Sequence, residues 1–347
     1  MSQKYLLLVL LAGAVLGALY ATPAGKDAAM HIGSFYEFQK PVDAAPIPVQ
    51  PDTLAFVGDV MLARNVETVQ RNYGADYVFA AMETVPTSTV LIGNFESSIA
   101  TEHQQTPDFE FSFSTPTSSM PSLKKFGFTH LSLANNHSYD TGADNFAYTQ
   151  EVISDHDMVP FGDQTLSTSS TTYVELDTKK VALIGLYALT QAPDMARMQV
   201  EMEEAEANSD FQVVYVHWGP EYQLTHSGFQ ETLAKQLIDL GADAIIGHHP
   251  HVVQDIQLYK EVPIFYSLGN FVLDQYFSAD VQEGLWVDIT FENDDPVYGL
   301  RPVTALASYS QPRFMSAYDA DRFLKGLSER SAEALRAGIL EGVIQIK

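Results

Sequence analysis

A series of short apolar runs, most of them stopped by glycine, asparagine or histidine, sets the strongest limit on how this chain can fold. Residues 53–57 (TLAFV) stop at Gly58-Asp59, residues 89–92 (TVLI) at Gly93-Asn94-Phe95-Glu96, and residues 128–134 (FTHLSLA) at Asn135-Asn136-His137. Residues 212–216 precede His217, residues 244–246 precede Gly247, and residues 264–268 precede Gly269-Asn270; residues 180–186 (KVALIGL) form one more run. Apolar runs of about four to seven residues between such breakers fit strands buried on both faces.

Helical patterns separate several of the runs. Residues 229–240 place Leu233, Leu237 and Leu240 on one stripe. Ser227 stands three residues before Gln230, a capping-box spacing, and Gly241 follows. Residues 144–156 form a second, less regular candidate. Strands alternating with helices predict an α/β fold with sheets covered by helices. Residues 284–291 (GLWVDITF) alternate apolar and polar positions, as a half-exposed strand does. Residues 318–341, with Leu324, Leu327, Leu335 and Ile339 at helical spacing, close the chain as one helix or a pair. The expected organisation is a folded domain over residues 52–310 with a helical segment, residues 311–347, packed on it.

A polar residue able to bind metal recurs just past the carboxyl end of these strands, the edge at which open α/β sheets bind ligands. Asp59, Asn94, Glu96, Asn136, His137, His217, His249, His251 and Asn270 can therefore converge, although they are far apart in the chain. Five of the ten histidines fall in these motifs. Taken singly, Asp59 also reads as a helix cap, Asn94 and Glu96 as a turn, and His217 as a hydrogen-bonded strand end. Gly247-His248-His249-Pro250-His251 is the specific signal. A His-x-His pair on an irregular loop can aim two imidazoles at one ion, with Pro250 stiffening the loop and Gly247 permitting a tight exit from the strand. His248 reads as a supporting group or a ligand. His31, His103, His130, His156 and His226 read as ordinary structural histidines.

Carboxylate, carboxamide and imidazole donors without sulfur suit manganese, iron or zinc. One or two such divalent ions can polarise a phosphoryl oxygen, and His137 is placed to protonate a leaving group. The chain has no cysteine, which excludes disulfide scaffolds, thiolate zinc sites and cysteine nucleophiles. A serine triad has little support, because no Gly-x-Ser-x-Gly elbow appears. The formal net charge of -25 argues against nucleic acid as a partner, since it offers no basic footprint to neutralise phosphates.

Residues 5–21 (YLLLVLLAGAVLGALYA) are unbroken apolar sequence behind Lys4, readable as a signal peptide or an N-terminal membrane anchor. Lys4 on the cytoplasmic side places the remainder outside. Residues 22–51, rich in Ala and Pro, read as an extended linker. The expected location is extracytoplasmic, held at the cell membrane or secreted if the segment is cleaved.

In their order these motifs resemble the CapA family of capsule-synthesis proteins associated with poly-γ-glutamate, whose domain is similar to the calcineurin-like metallophosphoesterases. GDVMLAR from Gly58, GNFESSI from Gly93, FTHLSLANNHSYDTG from Phe128, HWGPEY from His217, GADAIIGHHPHVVQ from Gly241 and IFYSLGNFVLDQ from Ile264 carry the match. The resemblance implies a four-layer α/β/β/α sandwich of two sheets flanked by helices. It places Asp59, Glu96, Asn136, His217, His249 and His251 on metal-ligand positions and His137 on that of the general acid. Asn94, Asn135, His248 and Asn270 are expected to support the ligands, and Arg64 to hold an anionic substrate group. The wider superfamily begins with Asp-x-His, whereas here Met61 stands at the histidine position, so one metal position lacks an imidazole.

Three functions are compatible with these motifs. The first is a metal-dependent surface enzyme in the synthesis, export or processing of poly-γ-glutamate or a related envelope polymer, working with membrane-embedded synthase subunits. The second is a metallophosphoesterase with an unrelated phosphoester substrate. The third is a non-catalytic assembly protein with a structural metal. An anionic polymer would meet like charge on so acidic a chain, and Arg64, Lys124 and Lys125 are the local cations expected to compensate.

Overall fold

The computed structural model describes residues 51–108, 110–165, 170–189 and 191–346. The apolar segment 5–21 and nearly all of the linker lie outside the described residues. In chain order the first half comprises β1 (Thr53–Val60), α1 (Arg64–Tyr73), β2 (Thr89–Phe95), α2 (Met120–Phe126), β3 (Phe128–Ser132), α3 (Ala143–Asp155), β4 (Val159–Phe161), β5 (Thr171–Glu175) and β6 (Lys180–Ala188). Next come α4 (Met195–Asn208), β7 (Phe211–Trp218), α5 (Gly228–Asp239), β8 (Ala244–His248), β9 (Ile256–Tyr259), β10 (Val262–Phe265) and β11 (Asn270–Val272). The chain closes with β12 (Glu283–Glu292), β13 (Asp295–Thr304), β14 (Arg313–Phe314), α6 (Ala317–Arg330), α7 (Arg336–Glu341) and β15 (Val343–Gln345).

These strands form two sheets. The first runs β14-β13-β12-β1-β2-β3-β4, with β11 beside β1 and β15 beside β13; the second runs β5-β6-β7-β8-β10-β9. The sequential neighbours β1 to β4 pair in parallel, as do β6, β7 and β8. Their carboxyl ends therefore share one edge within each sheet.

Strand periodicity sorts the side chains into layers. In β1, Leu54 and Phe56 face the second sheet, where they pack with Leu183, Val213, Tyr215 and Ile246. Ala55 and Val57 point the other way, into a cluster with Val66, Met120, Leu123 and Ile153 of α1, α2 and α3. Beyond the second sheet, Val214 and Ile245 meet Met198 and Met202 of α4 and Leu233 and Leu237 of α5. The result is the expected α/β/β/α order. Each fully buried Leu or Phe in these layers contributes about 1.5–3 kcal/mol. The Tyr215 hydroxyl crosses that layer to donate to the Val57 carbonyl at 3.1 Å.

Helix α5 begins as expected: Ser227 Oγ accepts from Gln230 N at 3.3 Å, and Gln230 Oε1 accepts from Ser227 N at 2.9 Å. Other elements differ from the expectation. Residues 264–268 do not form one strand, because β10 ends at Phe265 and the chain then passes from the second sheet to the first. Leu268 N donates to Gly247 O in the second sheet, while Gly269 O accepts from Asp59 N in the first. This crossing ties the ligand-bearing edges of the two sheets together. It needs Gly58, since a Cβ there would lie 1.9 Å from Gly269 O.

The long strand β13 escaped the alternation criterion. It is fixed by full antiparallel pairing with β12 through a two-residue turn at Asn293 and Asp294, both at positive φ. Residues 311–347 carry β14 and β15 as well as helices, and Phe323, Leu324, Leu327 and Ile339 enter the inter-sheet core. Among the described residues, no helix is long and apolar enough to cross a membrane.

Candidate metal centre

Strand β1 delivers Asp59, β2 delivers Asn94 and then Glu96, and the loop after β3 carries Asn135, Asn136 and His137. From the other sheet, β7 delivers His217, and the loop after β8 carries His249 and His251. Asp59 and Glu96 are both fully buried. Glu96 Oε1 lies 3.9 Å from each of three imidazole nitrogens, Nε2 of His137, His217 and His251. Ligand atoms of Asp59, Glu96 and His251 lie within 4.8 Å of one another, as do those of Glu96, His217 and His249. Glu96 is common to both groups.

The carboxamides hold this cluster from behind. Asn94 Nδ2 donates to Asp59 Oδ1 at 2.7 Å and lies 3.2 Å from His217 Nδ1. Asn135 Nδ2 donates to Asn94 Oδ1 and to Phe95 O, while Asn135 Oδ1 accepts from His137 N. Asn136 Oδ1 stands 2.7 Å from His217 Nε2, and Asn270 Oδ1 stands 2.9 Å from His251 Nδ1. His248 is different. It lies within β8, against the Tyr215 ring and 3.7 Å from Asp59 Oδ1, and neither ring nitrogen has a hydrogen-bond partner among the described residues.

The donor set fits a cation, and the unpaired atoms show why. Both oxygens of Glu96 and His249 Nδ1 are buried without a hydrogen-bond partner among the described residues. A buried carboxylate left this way is costly unless a cation neutralises it. His249 and His251 also sit at φ 94° and 58°. Such backbone costs about 1–3 kcal/mol per residue and persists where the surroundings over-determine it, commonly at functional sites.

The electrostatics agree. Burial, and then the charge of Asp59, push the Glu96 carboxyl well above the usual carboxylate range. Burial alone would also raise Asp59, but hydrogen bonding and charge from His251, with help from His248 and Asn94, hold it below its ordinary value. Burial lowers the imidazoles of His217, His248 and His249, the last two to about 4 and about 3. His251 goes the other way: burial opposes its charge, yet Glu96 and Asp59 lift it to about 9. The lowered pKa values of His217 and His249 favour the neutral imidazole, the form that binds metal.

Several sequence expectations change here. Arg64 is not a free cation: it is buried, ion-paired with Asp274 and packed 4.5 Å over the Phe113 ring. Lys124 and Lys125 do not face the centre. They lie at the end of α2 that leads into β3, on the Asp157 carbonyl and the Asp76 carboxylate. Gly247 lies inside β8 rather than at an exit turn, and a Cβ there would meet Tyr266 O at 2.1 Å. Met61 is a core side chain whose sulfur accepts from Ala63 N at 3.1 Å. His103, His130, His156 and His226 each have a nearby hydrogen-bonding partner outside the cluster, and His31 lies outside the described residues.

Sequence reasoning passed over Asp140, whose Oδ2 is 2.7 Å from His137 Nδ1 and accepts from Phe113 N at 2.6 Å. It also passed over Asp274 and Glu221, although all three acids stand inside quoted motifs. Beside the cluster opens a cavity of about 620 Å³ lined by Arg64, Asn65, Tyr222, Gln275, Phe277 and Tyr309 among others.

The family model for the bacterial capsule synthesis protein PGA_cap matches residues 53–275, the stretch that carries every group of the cluster. The chain belongs to this family. Capsule synthesis relatives include the capsule biosynthesis protein CapA of Bacillus anthracis, 31% identical over 318 residues, covering 85% of this chain and 77% of the relative. The PGA biosynthesis protein CapA of Bacillus subtilis (strain 168) is 34% identical over 247 residues, covering 64% of this chain and 63% of its own. Among solved structures, a hypothetical protein from Thermus thermophilus aligns over 76% of this chain and 100% of its own, at 14% identity and a TM-score of 0.45.

Proposed function

We propose that this PGA_cap family chain is a metal-dependent hydrolase of the cell envelope, acting on poly-γ-glutamate or a related anionic polymer during capsule synthesis, export or processing. The observation that carries the reading is Glu96: a fully buried carboxylate with neither oxygen hydrogen-bonded among the described residues, ringed at 3.9 Å by three imidazoles. Asp59, Glu96 and His251, and Glu96, His217 and His249 with Asn136 beside them, are the residues that would hold manganese, iron or zinc. An ion bound there supplies Lewis-acid polarisation of a substrate carbonyl or phosphoryl oxygen.

The protein's own groups supply the rest. With Nδ1 held by Asp140, His137 turns Nε2 towards Glu96 and the cluster, where it can carry a proton to a leaving atom. The Phe113 ring stacks on the His137 imidazole at 3.9 Å and keeps it in plane. Arg64, already paired with Asp274, shapes the cavity wall rather than adding a free charge. The apolar segment 5–21 supports an extracytoplasmic, membrane-associated location, and membrane-embedded synthase subunits are the partners that fit it.

The test uses the full chain loaded with manganese. Poly-γ-glutamate should shorten with the wild type, and shortening should be lost in His137→Ala and Glu96→Gln. Turnover of generic phosphoesters alone would favour the phosphoesterase reading. Metal-loaded protein that turns over neither substrate would overturn the hydrolase and leave an assembly role.

A further inference from the structure

The cluster leaves one nearby carboxylate without a role. Glu221 follows β7 in the loop that leads to α5, and its carboxylate lies within 4.8 Å of ligand nitrogens of both His249 and His251. Glu221 is exposed, whereas the imidazoles are each only 5% exposed. His249 Nδ1 has no hydrogen-bond partner among the described residues. The two histidines thus meet the buried acids on one side and an exposed acid on the other.

The loop is held in place rather than merely nearby. Tyr222 N donates to Pro250 O at 2.8 Å, so the residue after Glu221 is fastened to the residue between the two histidines. The Tyr222 hydroxyl accepts from Gln275 Nε2 at 3.0 Å, and its ring stacks towards His251. Further along, Gln254 Nε2 donates to the carbonyls of Gln223 and Thr225, and Gln254 is itself anchored by Gln230 of the α5 capping box. Tyr222 takes a positive φ of 61°, a conformation that few side chains adopt without such tethers. Meanwhile Met61, where an imidazole donor was expected on the first sheet, is turned into the core.

We infer that Glu221 is a metal ligand of this centre, supplying with His249 and His251 an outward-facing divalent-cation position. The inference rests on the metal-centre reading and adds to it a ligand from the solvent side. Oxygen and imidazole donors there suit manganese or zinc. An ion at that position lies beside the exposed Glu221, within reach of an anionic polymer that the acidic surface would otherwise repel.

Metal titration of the full chain, stripped and then reloaded with manganese or zinc alone, tests this. Glu221→Gln should weaken binding of one ion at least tenfold, or remove one ion from the stoichiometry, while thermal unfolding of the metal-free protein stays unchanged. The loss should persist at about 1 M salt, where the Debye length is about 3 Å and distant charges no longer act. A titration identical to wild type, or a difference that vanishes in high salt, overturns the assignment of Glu221 and leaves the inner centre standing. A wild type that binds no ion overturns both.

Discussion

Asp140 accepts at one carboxylate oxygen, Oδ2, from the Phe113 amide at 2.6 Å and faces His137 Nδ1 at 2.7 Å. The acid is thereby locked by backbone and holds the imidazole by one nitrogen, leaving the other to face Glu96. Asp140→Asn is expected to lower kcat about tenfold or more, because acid–base catalysis by a positioned histidine contributes about 10²–10⁴-fold. Metal content should be unchanged. Steady-state kinetics alongside metal analysis checks this, and an unaltered kcat would show that Asp140 does not position His137 for proton transfer.

Arg64 and Asp274 form an ion pair whose side chains are 9% and 7% exposed. Removing one partner strands a charge in the interior, so Asp274→Ala should destabilise by about 3–5 kcal/mol. Replacing both, as Arg64→Met with Asp274→Leu, should recover much of that loss. Denaturant unfolding of the three proteins measures it; a single variant no less stable than the double one would show that the pair is not a unit.

Gly247 has no room for a side chain. An alanine Cβ would sit 2.1 Å from Tyr266 O and 2.5 Å from the Trp218 indole nitrogen, and these two groups hydrogen-bond each other at 2.9 Å. Gly247→Ala should cost about 1–3 kcal/mol by overpacking and weaken metal binding through the adjoining His249. Wild-type stability in this variant, read by calorimetry, would contradict the contact.

His130, away from the cluster, is pushed down to about 4 by burial and then by the charge of Lys124. Its ordinary value is about 6.5, so between about pH 6.5 and 4 the unfolded chain takes up a proton that the folded chain refuses. Stability from this group is complete above about pH 6.5 and falls as pH drops towards 4. By linkage the loss at pH 5 is about 2 kcal/mol. His130→Gln should flatten the fall between about pH 7.5 and 5 by that amount. Equal slopes for the two proteins in urea titrations would refute it.

The sequence alone determined what depends on near neighbours. Apolar runs ending in Gly, Asn or His marked the strands and their ligand-bearing ends, since burial on both faces and a sharp exit both leave local traces. The Ser227–Gln230 capping box showed where α5 begins, because both of its hydrogen bonds close within four residues. His249 and His251 stood out for the same reason. Strand β13 did not, as its residues are held by pairing with β12 rather than by their own propensity.

Only the tertiary structure decided which charges are free and which are taken. Arg64 and Asp274 stand 210 residues apart, and nothing near either one announces the other. Glu221 and Asp140 are two acids among 44 until folding sets one beside two imidazoles and the other behind a third. Met61 read as a lost ligand; packing made it a core residue. The physical reason is range: a strand or a cap is specified by contacts along the chain, whereas the charge state and availability of a buried group depend on every element packed against it.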